Sequence, residues 1–328
     1  MISPTLTTVA NGDIEIEVAV TGTGPLILCI HGWPELWWSW RHQMVHFAEQ
    51  GYTVAAMNVR GYGGSSAPRE IEAYSLRELT SDVAAVIDEL GDGTAIVFGH
   101  DWGAPIAWNT ARFYADKVCA VAGLSVPYRP VTPGDPIDLW RALFTDQGKF
   151  FYMVYFQEPN LAEAELGAET LRSIRMIYYS ASGDAHRASE PGMTVEKPHG
   201  SVMLDGLVDP DPFPAWCSPE DLQVYADGID RNGWHGLINR YRAQALDGEQ
   251  LGGVTDPGPH LAQPATFIGG EFDPVRGFAA GFDIFEMAGE FLAEYRGTTI
   301  VDGAGHWVQQ EAPEAVNAAL QTFVDSLG

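Results

Sequence analysis

The chain has 328 residues, of which 46% are hydrophobic and 19% are charged, so it is long and apolar enough to bury a large core. Its 18 Lys and Arg residues against 44 Asp and Glu residues give a formal net charge of -26, which excludes nucleic acid and anionic membrane surfaces as expected partners. The sequence has neither a secretion signal nor a membrane-spanning run, so we expect a cytoplasmic protein. Cys29, Cys119 and Cys217 are odd in number and far apart, which predicts free core thiols.

Strand-like and helix-like segments alternate in the first part of the chain, which is typical of a mostly parallel sheet flanked by helices. The alternating run Ile14 to Val20 predicts a half-exposed antiparallel edge strand. The apolar runs Pro25 to Ile30 and Tyr52 to Met57 predict buried strands, with a helix from Ser39 to Gln50 between them. Further along the chain we predict a helix from Leu76 to Leu90, a strand from Thr94 to Phe98, a helix from Gly103 to Lys117 and a strand from Val118 to Leu124.

The pattern changes after Pro127. Residues 128–259 show no strand alternation, and aromatic-rich helical stretches flank a Gly- and Pro-rich tract, Gly183 to Pro219, that we predict to be a long loop. The sheet pattern resumes with the strands Ala265 to Ile268 and Thr298 to Val301, and a helix from Pro313 to Leu327 closes the chain. The sequence therefore predicts a core made of residues 1–127 and 260–328, with a helical lid (cap) domain, residues 128–259, inserted after the sixth strand.

A carboxylate occupies the centre of the turn Gly99-His100-Asp101-Trp102-Gly103-Ala104, which lies between a predicted strand and a predicted helix. The small residues around Asp101 are typical of a sharp strand-to-helix turn that exposes its central side chain in a strained backbone conformation. An aspartate is ionised at neutral pH and can displace a leaving group from saturated carbon, which leaves an aspartyl ester. The alternative is that Asp101 only caps the helix.

The partners of such a nucleophile are expected after later strands, since functional side chains gather at the carboxyl ends of strands in an open α/β sheet. Asp273 follows one late strand, with Glu271 as a rival acid, and His306 follows the last strand in a Gly-rich loop. The backbone N–H groups of Trp33 and Trp102 are predicted to form an oxyanion hole. The Trp33-Pro34 bond lies in a tight turn and is a candidate cis peptide.

Five motifs spread over nearly the whole chain carry a resemblance to the soluble epoxide hydrolases of the α/β-hydrolase superfamily. They are HGWP at 31–34, RGYGGSS at 60–66, GHDWGA at 99–104, YFQEP at 155–159 and GHW at 305–307. The resemblance implies an α/β-hydrolase fold, no metal or other cofactor, and two lid tyrosines that face Asp101. The motifs place these at Tyr155 and Tyr241, with Tyr225 as the alternative to Tyr241. They also place His31, Pro34, Trp102 and Trp307 beside the substrate.

These residues predict a two-step reaction. Opening an epoxide develops charge on an alkoxide, so a neutral acid such as a phenol must donate a hydrogen bond there while Asp101 stays ionised. His306, oriented by Asp273, would then activate a water that hydrolyses the ester on Asp101 to release a vicinal diol. The expected partners are therefore a small apolar epoxide and water, and the resemblance adds a homodimer as an expectation.

Two other functions stay open at this stage. A haloalkane or haloacid dehalogenase uses the same aspartate, and the indole of Trp102 would serve as a halide donor. Many dehalogenases have Asn or Glu at the position of Trp33, and a haloacid dehalogenase favours arginine at the position of Trp102. Both residues therefore argue against a dehalogenase. A non-catalytic ligand-binding protein on the same fold is the alternative from another class, although all three catalytic positions are filled.

Overall fold

One eight-stranded sheet organises the part of the chain that the structure, a computed structural model, describes: residues 4–193, 196–251, 260–278 and 282–328. Its strands are β1 (Thr5–Asn11), β2 (Ile14–Gly22), β3 (Leu26–Ile30), β4 (Thr53–Met57), β5 (Ala95–His100), β6 (Val118–Leu124), β7 (Leu261–Gly270) and β8 (Leu292–Val301). They lie in the order β1-β2-β4-β3-β5-β6-β7-β8. Strand β2 is antiparallel to β1 and to β4, and the remaining neighbours pair in parallel. This arrangement confirms the predicted mostly parallel sheet.

Helices cover both faces of the sheet and fill the segment between β6 and β7. The helices are α1 (Arg41–Glu49), α2 (Leu76–Leu90), α3 (Gly103–Phe113), α4 (Pro136–Leu143), α5 (Tyr152–Tyr155), α6 (Leu161–Leu166), α7 (Thr170–Ser180), α8 (Gly183–Arg187), α9 (Pro219–Asp230), α10 (His235–Arg242), α11 (Gln244–Leu251), α12 (Val308–Glu311) and α13 (Pro313–Asp325). All helices from α4 to α11 lie in the insert between β6 and β7. The division of the chain into a core and a lid domain stays a prediction. The predicted lid boundary at residue 259 lies outside the described residues.

The alternation of side chains along the central strands explains why both faces of the sheet need a helical cover. In β3, Ile27 and Cys29 pack with α1 and α13, whereas Leu28 and Ile30 pack with α2 and α3. Successive side chains of a strand point to opposite faces, and a strand that is apolar throughout must be buried on both. Burial of each such aliphatic side chain stabilises the fold by about 1.5–3 kcal/mol. None of the helices in the described residues is long and apolar enough to cross a membrane.

The prediction of an edge strand at Ile14 to Val20 is wrong. The antiparallel pairing is confirmed, but β1 lies outside β2 and forms the edge of the sheet. Strand β1 is mostly exposed, so its hydrophobic signal is weak. The Asn11-Gly12 pair, with Gly12 at φ 61, closes a hairpin with Ile14 opposite Asn11, and this turn signal marks the missing strand.

Two further predictions need correction. All three cysteines are free and Cys29 and Cys217 are buried, but Cys119 is exposed. The pairing of β5 with β6 shifts between Ala95 and Ile96, which leaves Cys119 outside the regular register at the end of the sheet. The tract predicted as a loop from Gly183 to Pro219 begins with α8, whose first turn is capped by the Ser182 hydroxyl.

Candidate active site

The turn between β5 and α3 holds Asp101 in the left-handed region, at φ 49. This conformation is strained for a residue with a side chain, and the close approach of strand and helix maintains it. A Cβ at Gly99 would lie 2.2 Å from the carbonyl oxygen of Gly103, and one at Gly103 would lie 2.1 Å from that of Ile30. Trp102 occupies the N-cap position of α3, without a side-chain capping bond. The alternative that Asp101 only caps the helix is therefore wrong.

Both oxygens of the Asp101 carboxylate have partners. The Trp33 N–H donates to Oδ1 at 2.7 Å, and Nε2 of His306 lies 3.3 Å from Oδ2. A Cβ at Gly32 would lie 2.4 Å from Oδ1, so only glycine lets this loop approach the carboxylate. The Trp33-Pro34 bond is cis, as the sequence suggested. The Trp33 N–H thus lies where an oxyanion formed on Asp101 would need a donor, while the same role for the Trp102 N–H stays a prediction.

The predicted acid, Asp273, and the predicted histidine, His306, are in hydrogen-bond contact. Nδ1 of His306 lies 3.0 Å from Oδ1 of the buried Asp273, which also accepts the Val275 N–H at 2.9 Å. The rival Glu271 is exposed and accepts the Gly303 N–H instead. Burial opposes a charge on His306, but Asp273 and Asp101 outweigh it and raise the pKa of the imidazole well above its ordinary value of 6.5. The two carboxylates therefore favour the protonated form of His306 in the resting site.

The backbone of His306 is fixed independently of its side chain. Its N–H donates to the Ala181 carbonyl at 2.8 Å, and its own carbonyl accepts from the Ser125 hydroxyl at 2.9 Å. Nε2 of His100 also lies 2.7 Å from that carbonyl. The last residue of β5, the residue after β6 and one residue of the insert therefore fix the backbone of His306.

A buried ion pair that sequence reasoning missed lies behind these groups. Oε2 of Glu35 lies 2.7 Å from Nδ1 of His100 and accepts the Gly32 N–H at 3.0 Å, while Gln309 and Gln310 donate to Oε1 at 3.0 and 3.2 Å. Burial alone would raise the pKa of Glu35, but His100 and the hydrogen bonds lower it to about 2. The carboxylate directly after the HGWP motif, in an otherwise apolar segment, was the available signal.

The structure brings Tyr241, but not Tyr155, to the cavity at Asp101. The cavity at Asp101 is lined by Tyr241 and Tyr152, whose ring centroids are 5.8 Å apart. The Tyr155 hydroxyl instead donates to Glu165 at 2.8 Å, so the prediction for Tyr155 is corrected to Tyr152, one helical turn earlier in α5. Tyr225 is bonded to Ser39 and Gln310 and does not line this cavity, which resolves that alternative in favour of Tyr241.

Both phenols that line the cavity are neutral donors. Burial, and then the charges of Asp101 and Asp273, raise the pKa of Tyr152 well above its ordinary value of 10. Burial raises the pKa of Tyr241 in the same way, with Tyr152 and Asp101 adding to it and a hydrogen bond from Trp102 opposing it. Each phenol therefore keeps its proton at neutral pH and can donate it to a charged oxygen.

A sequence model described as alpha/beta hydrolase fold matches residues 25–176. Epoxide hydrolase A of Mycobacterium tuberculosis is 37% identical over 329 residues, which cover 100% of this chain and 99% of the relative. The chain belongs to the epoxide hydrolases of the α/β-hydrolase family.

Solved structures of this family superpose closely. The crystal structure of epoxide hydrolase A from Mycobacterium thermoresistibile has a TM-score of 0.87 and 39% identity, and the match covers 98% of each chain. An epoxide hydrolase from an endophytic Streptomyces has a TM-score of 0.90 and 37% identity, with 99% of this chain and 96% of the other covered. The fold is therefore the α/β-hydrolase fold that the motifs implied.

Two neighbouring cavities lie near Asp101, and Asp101 lines the smaller of them. The cavity at Asp101 is small, about 30 Å³, and it shares walls with a larger cavity of about 230 Å³. The shared walls are Tyr152, Met193, Pro274 and Phe278. The larger cavity is otherwise mostly aromatic, lined by Trp140, Phe144, Phe150 and Phe151, with Lys149, Glu196 and Gly277.

Of the four residues predicted beside the substrate, only Trp307 lines the cavity at Asp101. His31 is buried, donates from Nδ1 to the Gly32 carbonyl and accepts the Val59 N–H at Nε2, and burial lowers its pKa to about 4. Pro34 accepts a hydrogen bond from Tyr178 through its carbonyl, and Trp102 packs edge-on against Tyr241. These three residues support the site from outside the cavity, because short motifs fix the position of a turn but not the direction of each side chain. Among the described residues, no group of three His, Cys, Asp or Glu side chains is placed to hold a metal ion.

Proposed function

We propose that the protein is an epoxide hydrolase that converts an apolar epoxide into a vicinal diol through an ester on Asp101. The observation that carries the proposal is the placement of two neutral phenols, Tyr152 and Tyr241, in the same small cavity as the Asp101 carboxylate. Alkylation of a carboxylate by an alkyl halide needs no proton donor, because the halide leaves as a stable anion. The opening of an epoxide leaves an alkoxide, which needs a proton donor. The family relationship supports the same reaction.

In the first step the Asp101 carboxylate attacks one carbon of the epoxide ring. The new bond joins a carboxylate oxygen to that carbon, and the bond from the carbon to the epoxide oxygen breaks. Tyr152 and Tyr241 donate hydrogen bonds to the oxygen as its charge develops, which stabilises the transition state more than the ground state. The alkoxide takes a proton from one of these phenols, which regains a proton from solvent, and the product of this step is a hydroxyalkyl ester.

The ester itself prepares the second step. Alkylation removes the negative charge of Asp101, and with it one of the two carboxylates that raise the pKa of His306. As its pKa falls, His306 releases its proton to solvent. The neutral imidazole, still oriented by Asp273, then accepts a proton from a water that attacks the ester carbonyl carbon. The Trp33 N–H holds the resulting oxyanion, with the Trp102 N–H as the predicted second donor. Collapse of the tetrahedral intermediate breaks the bond to the alkyl oxygen, which takes the proton from His306, and the diol leaves.

The shapes of the two cavities favour an epoxide with a bulky apolar substituent. The space at Asp101 accommodates little more than the epoxide ring, so a substituent extends past Tyr152 and Phe278 into the aromatic cavity. A cytoplasmic location and a homodimer stay predictions.

Two assays test this function. The wild-type protein should produce diol from styrene oxide and little bromide from 1-bromobutane, and rapid bromide release would favour the dehalogenase. His306→Gln should trap the ester, visible by intact mass spectrometry as the protein plus one epoxide, whereas Asp101→Asn should form no adduct. A ligand-binding protein would give neither turnover nor adduct.

A further inference from the structure

Glu311, at the end of α12, accepts hydrogen bonds from three backbone N–H groups. Its Oε2 accepts the Gly305 N–H at 3.0 Å and the Gly183 N–H at 2.8 Å, and its Oε1 accepts the Trp307 N–H at 3.1 Å. Gly305 and Trp307 are the two neighbours of His306 in the chain, while Gly183 is the first residue of α8 in the insert. One carboxylate therefore joins the insert to the loop that carries His306, residues 303–307, which we call the histidine loop.

The two segments touch through their backbones at this point. A Cβ at Gly305 would lie 2.4 Å from the backbone nitrogen of Gly183, and a Cβ at Gly183 would lie 2.1 Å from the Gly303 carbonyl oxygen. The His306 N–H donates to Ala181, two residues before Gly183. The histidine loop thus lies directly against the insert, and Glu311 accepts the N–H groups that its close approach would otherwise leave without a partner.

The side chain at position 311 must offer hydrogen-bond acceptors only, because all three of its partners are N–H donors. Burial raises the pKa of Glu311 to about 7, although the three N–H groups lower it, and the nearby Asp184 raises it further. Asp184 is itself paired with Arg187, which also donates to the Gly303 carbonyl. A glutamine at position 311 would be as large as the glutamate. Its amide nitrogen is a donor, however, so it would face at least one backbone N–H group donor to donor, without an acceptor between them.

We propose that Glu311 is a positioning residue for the hydrolytic step: it holds the peptide units on both sides of His306 against the insert, so that the imidazole is aligned with the ester on Asp101. The inference rests on the two-step function proposed above. Formation of the ester uses Asp101 and the two phenols, whereas its hydrolysis depends on the position of His306. Displacement of a catalytic group by about 1 Å can slow a reaction about 100-fold. Loss of the Glu311 contacts should therefore slow the second step and spare the first.

The experiment compares Glu311→Gln with Glu314→Gln, the same change at an exposed glutamate in the first turn of α13. Rapid-quench intact mass spectrometry with styrene oxide follows formation and decay of the ester on Asp101. We expect Glu311→Gln to form the ester within about twofold of the wild-type rate but to hydrolyse it at least about tenfold more slowly, so that the adduct accumulates. Glu314→Gln should match the wild type in both steps.

Ester formation also reports whether the variant is folded. Glu311→Asp, which keeps the charge but is one methylene shorter, provides a second variant and should show a smaller slowing of hydrolysis alone. Equal slowing of both steps, no slowing of either, or loss of folding in both variants would assign Glu311 a purely structural role and overturn the proposal. Absence of adduct and diol in the wild type would instead refute the proposed function.

Discussion

Two tyrosines on the same short helix should respond in opposite ways to removal of their hydroxyls. Tyr152→Phe deletes one of the two proposed donors to the epoxide oxygen, and the loss of one such donor typically lowers kcat by about 10²–10³. Tyr155→Phe deletes a hydrogen bond to Glu165, whose carboxylate keeps the N–H groups of Met203 and Leu204 at 3.0 and 2.8 Å. Because Glu165 stays hydrogen-bonded, this change should cost about 1–2 kcal/mol of stability and leave kcat within about twofold.

Steady-state hydrolysis of styrene oxide and urea unfolding measure the two effects. A large loss of kcat in Tyr152→Phe, with an unfolding free energy near that of the wild type, would agree with the geometry. The opposite pattern, in which Tyr155→Phe is inactive and Tyr152→Phe is active, would restore the assignment made from the YFQEP motif and refute the geometric argument.

Two other predictions concern the substrate cavity and the buried ion pair. Gly277 lines the aromatic cavity, and a Cβ there would meet no neighbouring atom within 4 Å. A tryptophan at this position has room to narrow the cavity, so Gly277→Trp should lower kcat/KM for styrene oxide at least about tenfold but not for propylene oxide, with Gly277→Ala as the control. Equal losses for both epoxides would contradict a role in binding the substituent. The pKa of Glu35 is lowered from 4.5 to about 2, so its stabilising contribution is present above pH 4.5 and is lost as the pH falls towards 2. Urea unfolding of Glu35→Gln should therefore lack up to about 3 kcal/mol of the wild-type decline in this range, and identical declines in both proteins would show that Glu35 does not contribute.

The sequence predicted the parts of the site that depend on strand ends. Asp101, Asp273 and His306 each follow a strand of the parallel sheet, and the carboxyl ends of such strands meet at one edge. Their approach in space therefore follows from chain order and turn motifs alone. The preference for Asp273 over Glu271 also agrees with the geometry, because the buried Asp273 reaches His306 whereas Glu271 is exposed.

The parts that depend on how helices dock could not be predicted in the same way. Tyr152 and Tyr155 are three residues apart and so lie near one face of α5, and their local sequence does not say which phenol points to the nucleophile. Glu165 of α6 decides this, because it binds the Tyr155 hydroxyl. The buried Glu35 was missed for a related reason, since its partner His100 is 65 residues away.

The surroundings of His306 connect the geometry of the site to its reaction order. Its backbone is held from several sides, so a change of charge on the imidazole need not move the ring. In the proposed reaction the charge of Asp101 changes, because it is negative before alkylation and absent in the ester. The neighbouring carboxylates favour the protonated form of His306 in the resting site, and in this proposal the loss of one of them in the ester lets His306 lose its proton and act as a base. The proposed mechanism thus has an order of steps set by electrostatics, and it requires a histidine whose position stays fixed while its pKa falls.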